Sequence, residues 1–358
     1  MKKYDFMILA GGTGGHIFPA VAVASELIAE GRSVCWAGKA GSLEEKQAKL
    51  HNIDFIAVSS PVWQRRSALA KVYVILALLK AIYHGLGIIK QYNPKVVIGF
   101  GGAISVALGI CAVLQGKKLL LHEQNSKAGK ANKLLSLFAT KIMLGFPGAF
   151  KNSSKVVVVG NPIRQDLAAK AIMQSAVTHE KLMSPFKILV LGGSHGSEGL
   201  NKVVTEAFSN LGQDFEIWHQ AGSKNVKDIA ANYEESGKDA HIVEFIGNMS
   251  EAYLWADLVI SRAGALTITE ILAYKLPSIL VPNPHSADNH QYANAHYIAR
   301  HHAAAVVTEK SNAAADIAAR VLYMLSNPKY YFDMSTATEK LAITDATAKI
   351  TQVCLDVS

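Results

Sequence analysis

The sequence predicts an α/β protein with two doubly wound domains, each built on a mostly parallel sheet. Residues 6–27 and 187–208 repeat one local pattern, in which an apolar strand passes through a glycine-rich loop into a helix. Such a loop lets backbone N–H groups approach an anion at a helix N terminus. The 358 residues are enough for two hydrophobic cores. Two such units predict a phosphate-bearing ligand in an inter-domain cleft; the alternative is that each loop is only a tight turn.

Strand-like and helical segments alternate along the chain, which indicates parallel sheets. The strands predicted for the first half are 6–10, 33–37, 54–58, 95–99, 118–122, 140–144 and 155–159. The helices predicted there are 18–30, 42–51, 68–91, 104–115 and 127–138. In the second half, the predicted strands lie near 187–191, 215–220, 241–246, 257–260, 278–281 and 304–307, and residues 311–357 are predicted to be helical.

A hinge is predicted where this alternation is interrupted. Gly160 and Pro162 break the pattern within residues 160–164. We therefore place the N-terminal domain at residues 1–163 and the C-terminal domain at residues 164–341. A last helix, about residues 342–358, is expected to pack back on the first domain.

The two halves of the chain differ in charge. Residues 1–160 carry 20 Lys and Arg against 7 Asp and Glu, whereas residues 161–358 carry 16 against 21. A basic first half and an acidic second half predict that only the first half faces a polyanion. The sequence has no nucleic-acid recognition motif, so an anionic membrane surface is favoured as the partner over nucleic acid. The three cysteines lie far apart, which is typical of a reducing compartment.

Residues 62–92 have the most membrane-like pattern in the chain. Their longest uncharged apolar run, Val72–Leu79, is too short to cross a bilayer. Apolar residues at helical spacing form one face, which consists of Val72, Ile75, Leu76, Leu79 and Ile82 and is bordered by Lys71 and Lys80. An apolar face surrounded by basic residues fits a helix lying in a membrane interface. The same periodicity fits a helix packed on a domain core, and both interpretations stay open.

The first glycine loop, GGTGGH at residues 11–16, differs from the dinucleotide-binding fingerprint. Ile17 stands where that fingerprint needs a glycine, and the second strand ends in Gly38 with no acidic residue to hold a ribose. An NAD-dependent oxidoreductase is therefore a remote alternative. A third glycine loop, GFGGAIS at residues 99–105, fits a second phosphate-bearing substrate. The sequence has no P-loop and no Asp-x-Asp pair, which predicts a site without metal or cofactor.

Three polar positions are candidates for the chemistry. His16, where the first loop enters its helix, is either a general base or a capping or packing residue. His122 belongs to HEQNS at the end of a predicted strand, where α/β proteins bind ligands. Glu270 is placed to accept both hydroxyls of a ribose, but Thr267 and Glu270 also have the spacing of a helix-capping box.

The order of the motifs resembles that of one enzyme family. The motifs are GGTGGH, GFGG, HEQN, FPGAF, GNPIR, GGSHG, HQAG and RAGALTITE followed by DNHQYANA, over about residues 6–300. Together they resemble the MurG family, UDP-N-acetylglucosamine:undecaprenyl-pyrophosphoryl-MurNAc-pentapeptide N-acetylglucosaminyltransferase. The resemblance implies a GT-B fold, which has two Rossmann-like doubly wound domains and an inter-domain cleft, and it implies no metal and no cofactor.

The resemblance also implies a reaction and its setting. GlcNAc would pass from UDP-GlcNAc to lipid I, undecaprenyl-pyrophosphoryl-MurNAc-pentapeptide, with inversion at the sugar carbon, giving lipid II for peptidoglycan synthesis. The N-terminal domain would bind the acceptor and the membrane, and the C-terminal domain would bind UDP-GlcNAc. The enzyme would lie peripherally on the cytoplasmic face of the bacterial inner membrane, with cell-wall or division proteins as further expected partners. The alternative is another GT-B UDP-sugar enzyme, either a lipid glycosyltransferase or a UDP-GlcNAc 2-epimerase.

The functional positions of the family transfer one by one onto this sequence. The implied UDP-GlcNAc contacts are Thr13, Gly14, Gly15, Asn125, Arg164, Ser194, Ile246, Ala265, Leu266, Thr267, Ile268, Thr269, Glu270 and Gln291. The implied loop for the acceptor pyrophosphate contains Gly101, Gly102 and Ser105, and His16 matches a functionally important histidine of the family. Four residues depart from the family pattern, namely Ala103, His195, Ala263 and His290.

Overall fold

The structure is a computed structural model that describes residues 3–58, 68–174, 184–193, 196–209, 211–212 and 215–358. Its internal contacts divide the chain into two compact units. The first unit holds Met1–Arg164 and Asp345–Ser358, and the second holds Gln165–Thr344. The C-terminal residues therefore return to the first unit.

The strands of both units follow the alternating pattern of the sequence. Those of the first unit are β1 (Phe6–Ala10), β2 (Val34–Gly38), β3 (Asp54–Ala57), β4 (Val96–Gly101), β5 (Lys118–Glu123), β6 (Lys141–Leu144) and β7 (Val156–Val158). Those of the second unit are β8 (Phe186–Leu191), β9 (Phe215–Gln220), β10 (Ala240–Val243), β11 (Leu258–Ser261), β12 (Ser278–Leu280) and β13 (Ala305–Val306).

Helices connect these strands and complete each unit. Those up to β7 are α1 (Gly14–Ala29), α2 (Leu43–Leu50), α3 (Ala68–Tyr92), α4 (Ala103–Leu114) and α5 (Lys130–Leu135). The second unit adds α6 (Gln165–Gln174), α7 (Glu198–Ser209), α8 (Val226–Glu235), α9 (Met249–Trp255), α10 (Ala265–Ala273), α11 (His290–Arg300), α12 (Ala313–Ser326) and α13 (Pro328–Leu341). The last helix, α14, spans Ala346–Val357.

The described strands of the first unit form a parallel sheet in the order β3-β2-β1-β4-β5-β6-β7. Alternate residues of β1 enter different cores: Phe6 and Ile8 pack with α1, whereas Met7 and Leu9 pack with α4. Because both faces are covered, the central strands β1, β2 and β4 are fully buried and contain no charged residue, as is typical of parallel sheets. The strand order reverses between β1 and β4, so ligands are expected at the carboxyl ends of these strands.

Helix α14 belongs to the core of the first unit although it ends the chain. Ile350 and Cys354 are fully buried in the cluster that contains α1 and one face of β1. The carbonyl of Val357 accepts a hydrogen bond from Lys118 Nζ at 2.6 Å. These contacts attach the end of the chain to the first unit.

The second unit repeats the same architecture. Its described strands form a parallel sheet in the order β10-β9-β8-β11-β12-β13, which reverses between β8 and β11. Helices α7, α8 and α12 pack on one face, where Ile188, Val190 and Ile217 are buried. The prediction of two doubly wound parallel-sheet domains is therefore confirmed.

Helix α1 begins earlier than predicted. The sequence predicts its start at residue 18, whereas the helix starts at Gly14, with Thr13 extended as the N-cap residue. The glycine pair of the loop thus forms the first helical turn. Strand β10 ends earlier than predicted, at Val243, because the following chain turns so that the N–H of Ile246 bonds to Gln220 at 3.0 Å.

Helix α3 packs on the core along one side and exposes apolar residues on another. Leu79 and Tyr83 are 56% and 76% exposed. Ile82, predicted on the same membrane face, instead packs partly against the core beside α4, which is a correction to that face. The side chains of Lys71, Val72, Ile75 and Leu76 lie outside the described part of the structure. Among the helices that the structure describes, none has both the length and the hydropathy needed to cross a bilayer.

Candidate functional site

The first glycine loop leads from β1 into an uncapped helix. Gly12 adopts a φ of +98°, a conformation that favours glycine. The side chain of Thr13 caps no N–H group of the described α1. The first N–H groups of a helix have no acceptor within the helix, so those of Gly14 and Gly15 are available to an anion. Three predicted ligand contacts, Thr13, Gly14 and Gly15, therefore lie together at one helix N terminus.

His16 lies between the first and third glycine loops. Its Nδ1–H donates to the carbonyl of Gly11 at 3.2 Å. A Cβ atom built on Gly101 would lie 2.9 Å from His16 Nε2, so the histidine ring rests directly against that glycine. The fixed Nδ1–H leaves Nε2 as the nitrogen with a lone pair, which is the form that a general base requires.

The third glycine loop needs glycine at two positions. Gly101 and Gly102 have φ angles of +119° and +92°. A Cβ on Gly102 would lie 2.6 Å from the carbonyl oxygen of Gly11, so the two loops touch through their backbones. Ser105 is fully buried, and its hydroxyl lies 3.0 Å from the Leu9 carbonyl and 2.8 Å from the Gly101 carbonyl. The hydroxyl of Ser105 therefore supports the loop, and the predicted place of Ser105 in the acceptor-pyrophosphate loop stays a prediction.

Glu123 organises the loop that follows β5. Its carboxylate accepts four hydrogen bonds of 2.9 to 3.2 Å, from the N–H and Nδ2 of Asn125, the N–H of Gly129 and Nδ2 of Asn132. The predicted donor contact Asn125 is thus held in place by a buried carboxylate. Glu123 was predicted as a member of the polar HEQN cluster at a strand end, and the structure adds its role in holding this loop.

His122 is a buried neutral histidine that supports the same loop. Its Nε2–H donates to the Gly160 carbonyl at 3.0 Å, and its Nδ1 accepts from Gln124 Nε2 at 3.1 Å. Complete burial lowers the pKa of His122 to about 4, although the bond to the Gly160 carbonyl opposes the shift. His122 therefore ties β5 to the 160–164 segment and is uncharged at neutral pH.

Glu270 projects from α10 and does not take part in a capping box. The helix begins at Ala265 with Gly264 as its N-cap residue, so Thr267 is already helical and the capping-box alternative is wrong. The carboxylate of Glu270 accepts a hydrogen bond from the hydroxyl of Tyr253 at 2.8 Å. The N–H groups of Ala265, Leu266 and Thr267 precede the first helical hydrogen bond and can face an anion.

Two of the residues predicted along α10 support the helix itself. Ile268 and Thr269 are 1% and 6% exposed. The hydroxyl of Thr269 donates to the Ala265 carbonyl at 2.9 Å. These two side chains therefore pack within the fold, and any donor contact of Ile268 or Thr269 would have to use the backbone.

Gln220 and Gln291 hold two loops near the carboxyl ends of the second sheet. Gln220 Nε2 donates to the Gly193 carbonyl at 2.8 Å, and its Oε1 accepts from the N–H of Ile246 at 3.0 Å. A uracil facing Ile246 would therefore have to use the carbonyl of that residue. The Oε1 atom of Gln291 accepts from the N–H of Asn283 at 2.9 Å, which directs its amide nitrogen elsewhere.

Arg262, at the end of β11, is a site residue that the sequence analysis did not select. Its Nε donates to Ser197 Oγ at 2.8 Å, and its guanidinium pairs with Glu309 at 2.5 Å. It therefore fixes the loop that enters α7. Arg262 is the first residue of the RAGALTITE motif and follows β11 directly, which was the signal available in the sequence.

The other predicted positions lie at the edge of the first unit, outside the described residues, or in the core. Arg164 is exposed and is the last residue of the first unit. Ser194 and His195 lie outside the described residues. Ala263 is buried and its carbonyl accepts from Asn294 Nδ2 at 3.1 Å. No group of three or more His, Cys, Asp or Glu in the described ranges is placed to hold a metal ion.

Comparison with known families assigns both halves of the chain. Residues 6–144 match the glycosyltransferase family 28 N-terminal domain, and residues 187–350 match the glycosyltransferase family 28 C-terminal domain. The two matches correspond to the two sheets described above. The prediction of a GT-B fold is confirmed.

Individual relatives cover the whole chain. Proteins of Pseudomonas syringae pv. syringae (strain B728a) and Pseudomonas savastanoi pv. phaseolicola (strain 1448A / Race 6) are each 40% identical to it, over 99% of both chains. Both are named UDP-N-acetylglucosamine–N-acetylmuramyl-(pentapeptide) pyrophosphoryl-undecaprenol N-acetylglucosamine transferase. The crystal structure of Acinetobacter baumannii MurG is 31% identical, with a TM-score of 0.82 over 99% of both chains. The chain belongs to the MurG family of glycosyltransferases.

Proposed function

We propose how the two units of this chain divide the substrates of the family reaction. The chain is a UDP-GlcNAc-dependent N-acetylglucosaminyltransferase that transfers GlcNAc to lipid I, which gives lipid II for peptidoglycan synthesis. The alternatives, a 2-epimerase and a different lipid glycosyltransferase, are not supported by these relatives. The assignment of individual residues to substrates is our proposal.

The second unit binds the UDP part of the donor. The observation that carries this assignment is the uncapped N terminus of α10 with Glu270 in the same helix. The diphosphate lies at the N–H groups of Ala265 to Thr267, where the helix dipole favours negative charge. Glu270 follows Ala265 by five residues, about 7.5 Å along the helix axis. From there its carboxylate accepts hydrogen bonds from the ribose hydroxyls.

Further donor contacts come from loops beside α10. The carbonyl of Ile246 is the group left to face the uracil, since its N–H already bonds to Gln220. Gln291 offers its amide nitrogen to the GlcNAc, because its oxygen is held by the backbone of Asn283. Six further donor contacts stay proposals that rest on the resemblance, namely Thr13, Gly14, Gly15, Asn125, Arg164 and Ser194.

The first unit binds the pyrophosphate of lipid I. Two uncapped helices, α1 and α4, begin at glycine loops that touch each other through Gly11 and Gly102. Together they present backbone N–H groups to one anionic group. This arrangement, and not any side chain of the loops, is the proposed pyrophosphate site.

His16 is the proposed general base. A hydroxyl oxygen of the acceptor sugar attacks the anomeric carbon of GlcNAc, the bond from that carbon to UDP breaks, and Nε2 of His16 takes the hydroxyl proton. A single displacement of this kind inverts the configuration at the carbon. The bond from Nδ1–H to the Gly11 carbonyl holds the ring in the tautomer that can accept the proton.

The lipid chain of the acceptor brings the enzyme to a membrane surface. We assign contact with the bilayer to α3, where Leu79 and Tyr83 are exposed beside Lys80. The proposed location is peripheral, on the cytoplasmic face of the inner membrane. Cell-wall or division proteins stay expected partners on the resemblance alone.

Replacing Glu270 tests the donor site. Glu270→Ala removes the charge-assisted contact with the ribose, which is worth about 1.5–3 kcal/mol in total, so the KM for UDP-GlcNAc should rise about 10- to 150-fold. Steady-state kinetics with varied UDP-GlcNAc measures this change. Tyr253→Phe is the matched control, because it removes the same 2.8 Å hydrogen bond but keeps the carboxylate. An equal rise in KM for both variants would show that Glu270 only supports the fold.

A further inference from the structure

A pocket lies in the second unit, away from the loops that are proposed to bind the donor. It has a volume of about 290 Å³ and is lined by Glu216, Ile217, Trp218, Asp239, His241 and Trp255. These residues come from the N-terminal part of β9, the start of β10 and the end of α9. The donor site uses the opposite, carboxyl ends of the strands. The volume is at the small end of ligand pockets.

The pocket exists because one face of the sheet is left uncovered. Phe215 and Ile217 are buried against the helices on one face. Their neighbours Glu216 and Trp218 point to the other face, because side chains alternate along a strand. The helix on that face, α9, spans only Met249–Trp255 and packs near β8. The outer strands β9 and β10 therefore keep two large aromatic rings partly exposed.

The walls of the pocket are aromatic. The rings of Trp218 and Trp255 are 5.6 Å apart and nearly perpendicular. His241 lies edge-on to Trp218 at 5.5 Å. Tryptophan faces attract cations more strongly than other aromatic rings do. The structure shows this preference directly, since Lys187 Nζ lies 5.9 Å from the centre of the Trp255 ring.

The charges of the pocket also favour a cation. Glu216 and Asp239 line it, and neither carboxylate has an ion pair or a side-chain hydrogen bond with another residue in the described ranges. Other carboxylates in this unit do have partners, as the pair of Glu309 with Arg262 shows. Two carboxylates against the one ammonium of Lys187 leave a net negative charge. An ammonium or guanidinium group would satisfy the carboxylates and contact the rings.

A further feature indicates that the cation belongs to a polypeptide. Strand β10 is at the edge of the described sheet, where an added strand can pair with its backbone. A peptide provides carbonyl groups, an extended backbone and a basic side chain together, whereas a free amine provides only the last.

We propose that the pocket between Trp218 and Trp255 binds an arginine or lysine side chain from an extended segment of a partner protein. The partner is a separate chain with a basic residue in an extended or β conformation. Trp218 and Trp255 hold the alkyl stem and the cation, and Glu216 and Asp239 pair with the charged group. The site would let a partner bind the second unit while the donor loops stay accessible.

NMR titration of the full-length protein tests the proposal. The probes are a capped pentapeptide with one central arginine and the same peptide with citrulline, which has the same shape without the charge. We expect the arginine peptide to shift the indole N–H signals of Trp218 and Trp255 in a saturable way. The signals are assigned with Trp218→Phe and Trp255→Phe. The citrulline peptide should bind at least about tenfold more weakly, the loss that removing one charge-assisted contact produces.

Charge variants connect the binding to the pocket. Glu216→Gln with Asp239→Asn should weaken binding of the arginine peptide about tenfold or more and leave GlcNAc transfer unchanged. Glu234→Gln with Glu235→Gln removes the same charge from exposed positions of α8, on the other face of the sheet, and should leave binding unchanged.

Three binding results and one assembly result would overturn the proposal. The first binding result is equal affinity of the protein for the arginine and citrulline peptides. The second is equal loss of affinity for the arginine peptide in both double variants. The third is that the arginine peptide leaves the indole N–H signals of Trp218 and Trp255 unshifted. A protein dimer that the arginine peptide dissociates would also overturn it, because the occupant would then be a second copy of this chain.

Discussion

His16 and Gly101 form a contact that a single methyl group would break. A Cβ atom built on Gly101 would lie only 2.9 Å from Nε2 of His16. Gly101 also has a positive φ, which disfavours any residue with a side chain. The position of the proposed base therefore depends on the absence of a side chain in another loop. Gly101→Ala should displace the ring and also strain the backbone, so it should reduce both turnover and stability.

Removing the imidazole itself should affect turnover alone. General-base catalysis contributes about 10²- to 10⁴-fold, so His16→Ala should lower kcat by that factor with little change in melting temperature. The assay is transfer of labelled GlcNAc at saturating substrates, combined with calorimetry. His51→Ala is the control, because His51 is exposed at the end of α2. Near wild-type turnover of His16→Ala would make His16 a packing residue of the loop.

The motifs predicted where the loops and helices of the proposed site begin, but not what individual side chains do. The first and third glycine loops follow β1 and β4 in the structure, and α10 begins a few residues after β11. The hydroxyls of Ser105 and Thr269 bond to backbone carbonyls, so these two side chains support the loop and the helix. A sequence does not show whether a hydroxyl has an internal acceptor, since that acceptor comes from another turn or strand.

At the scale of elements, α3 contains two glycines with opposite roles. A Cβ on Gly85 would lie 2.7 Å from Cys111 Sγ and 2.9 Å from Leu108, so this glycine permits close packing of α3 on α4. A Cβ on Gly87, two residues further, meets no described atom within 4 Å. The same substitution should therefore have opposite effects on stability at the two positions.

Thermal unfolding of the two alanine variants checks this expectation. Gly87→Ala should raise stability by about 0.5–1 kcal/mol, because alanine restricts the unfolded chain and favours the helix. Gly85→Ala gains the same helix preference but overpacks the interface, which costs about 1–3 kcal/mol and should lower stability overall. A higher melting temperature for Gly85→Ala would mean that α3 does not pack on α4 at this distance.

The sequence predicted the strands reliably because most of them are buried on both faces. The strands are continuous apolar runs between glycine or polar segments, and their bounds in the structure differ by few residues from those expected. Helix α1 was predicted to start too late, because glycines were assigned to the loop and not to the first turn. Ile82 is partly buried because α4 packs closely on α3 at Gly85. The spacing of apolar residues in α3 does not indicate how close the neighbouring helix lies.

Each of the two units contains a buried neutral histidine among its described residues. His219 in the second unit donates to Asn201 Oδ1 at 3.1 Å and accepts from the Tyr233 hydroxyl at 3.2 Å. Burial lowers the pKa of His219 to about 3, as it lowers that of His122 to about 4. Unfolded histidines take up a proton below about pH 6.5, whereas these folded ones do not. The contribution of these two neutral histidines to the free energy of unfolding is therefore fully present above about pH 6.5 and decreases as the pH falls toward 4.

Denaturant unfolding between pH 7 and 4 measures this loss. Each histidine should lower the free energy of unfolding by up to about 1.4 kcal/mol per pH unit below pH 6.5. His219→Gln and His122→Gln should each make the pH dependence shallower, although both lower stability at pH 7. His51→Gln, at an exposed position, should leave the slope unchanged. An unchanged slope for His219→Gln would show that His219 is not neutral in the folded protein.

Helix α3 is the proposed surface by which the protein contacts the membrane that holds its lipid acceptor. Leu79 and Tyr83 are one turn apart on α3, on the side of the first sheet that carries α4. Leu79→Glu with Tyr83→Glu removes apolar groups worth about 1.5–3 kcal/mol each when buried, and adds charges that an anionic surface repels. This variant should sediment poorly with anionic vesicles and use long-chain acceptor slowly, yet process a short-chain soluble analogue normally.

A matched variant distinguishes a local contact from a general charge effect. Leu43→Glu with Leu50→Glu adds the same charge on α2, whose Ala48 packs with α1 on the opposite face of the sheet. Leu43 and Leu50 are 41% and 71% exposed, so these changes should not unfold the protein. The α2 variant should keep most of its vesicle binding, since charge repulsion acts mainly within about 10 Å at 0.1 M salt. Equal loss of vesicle binding in both variants would contradict the assignment to α3, because the net charge of the protein would then explain the loss.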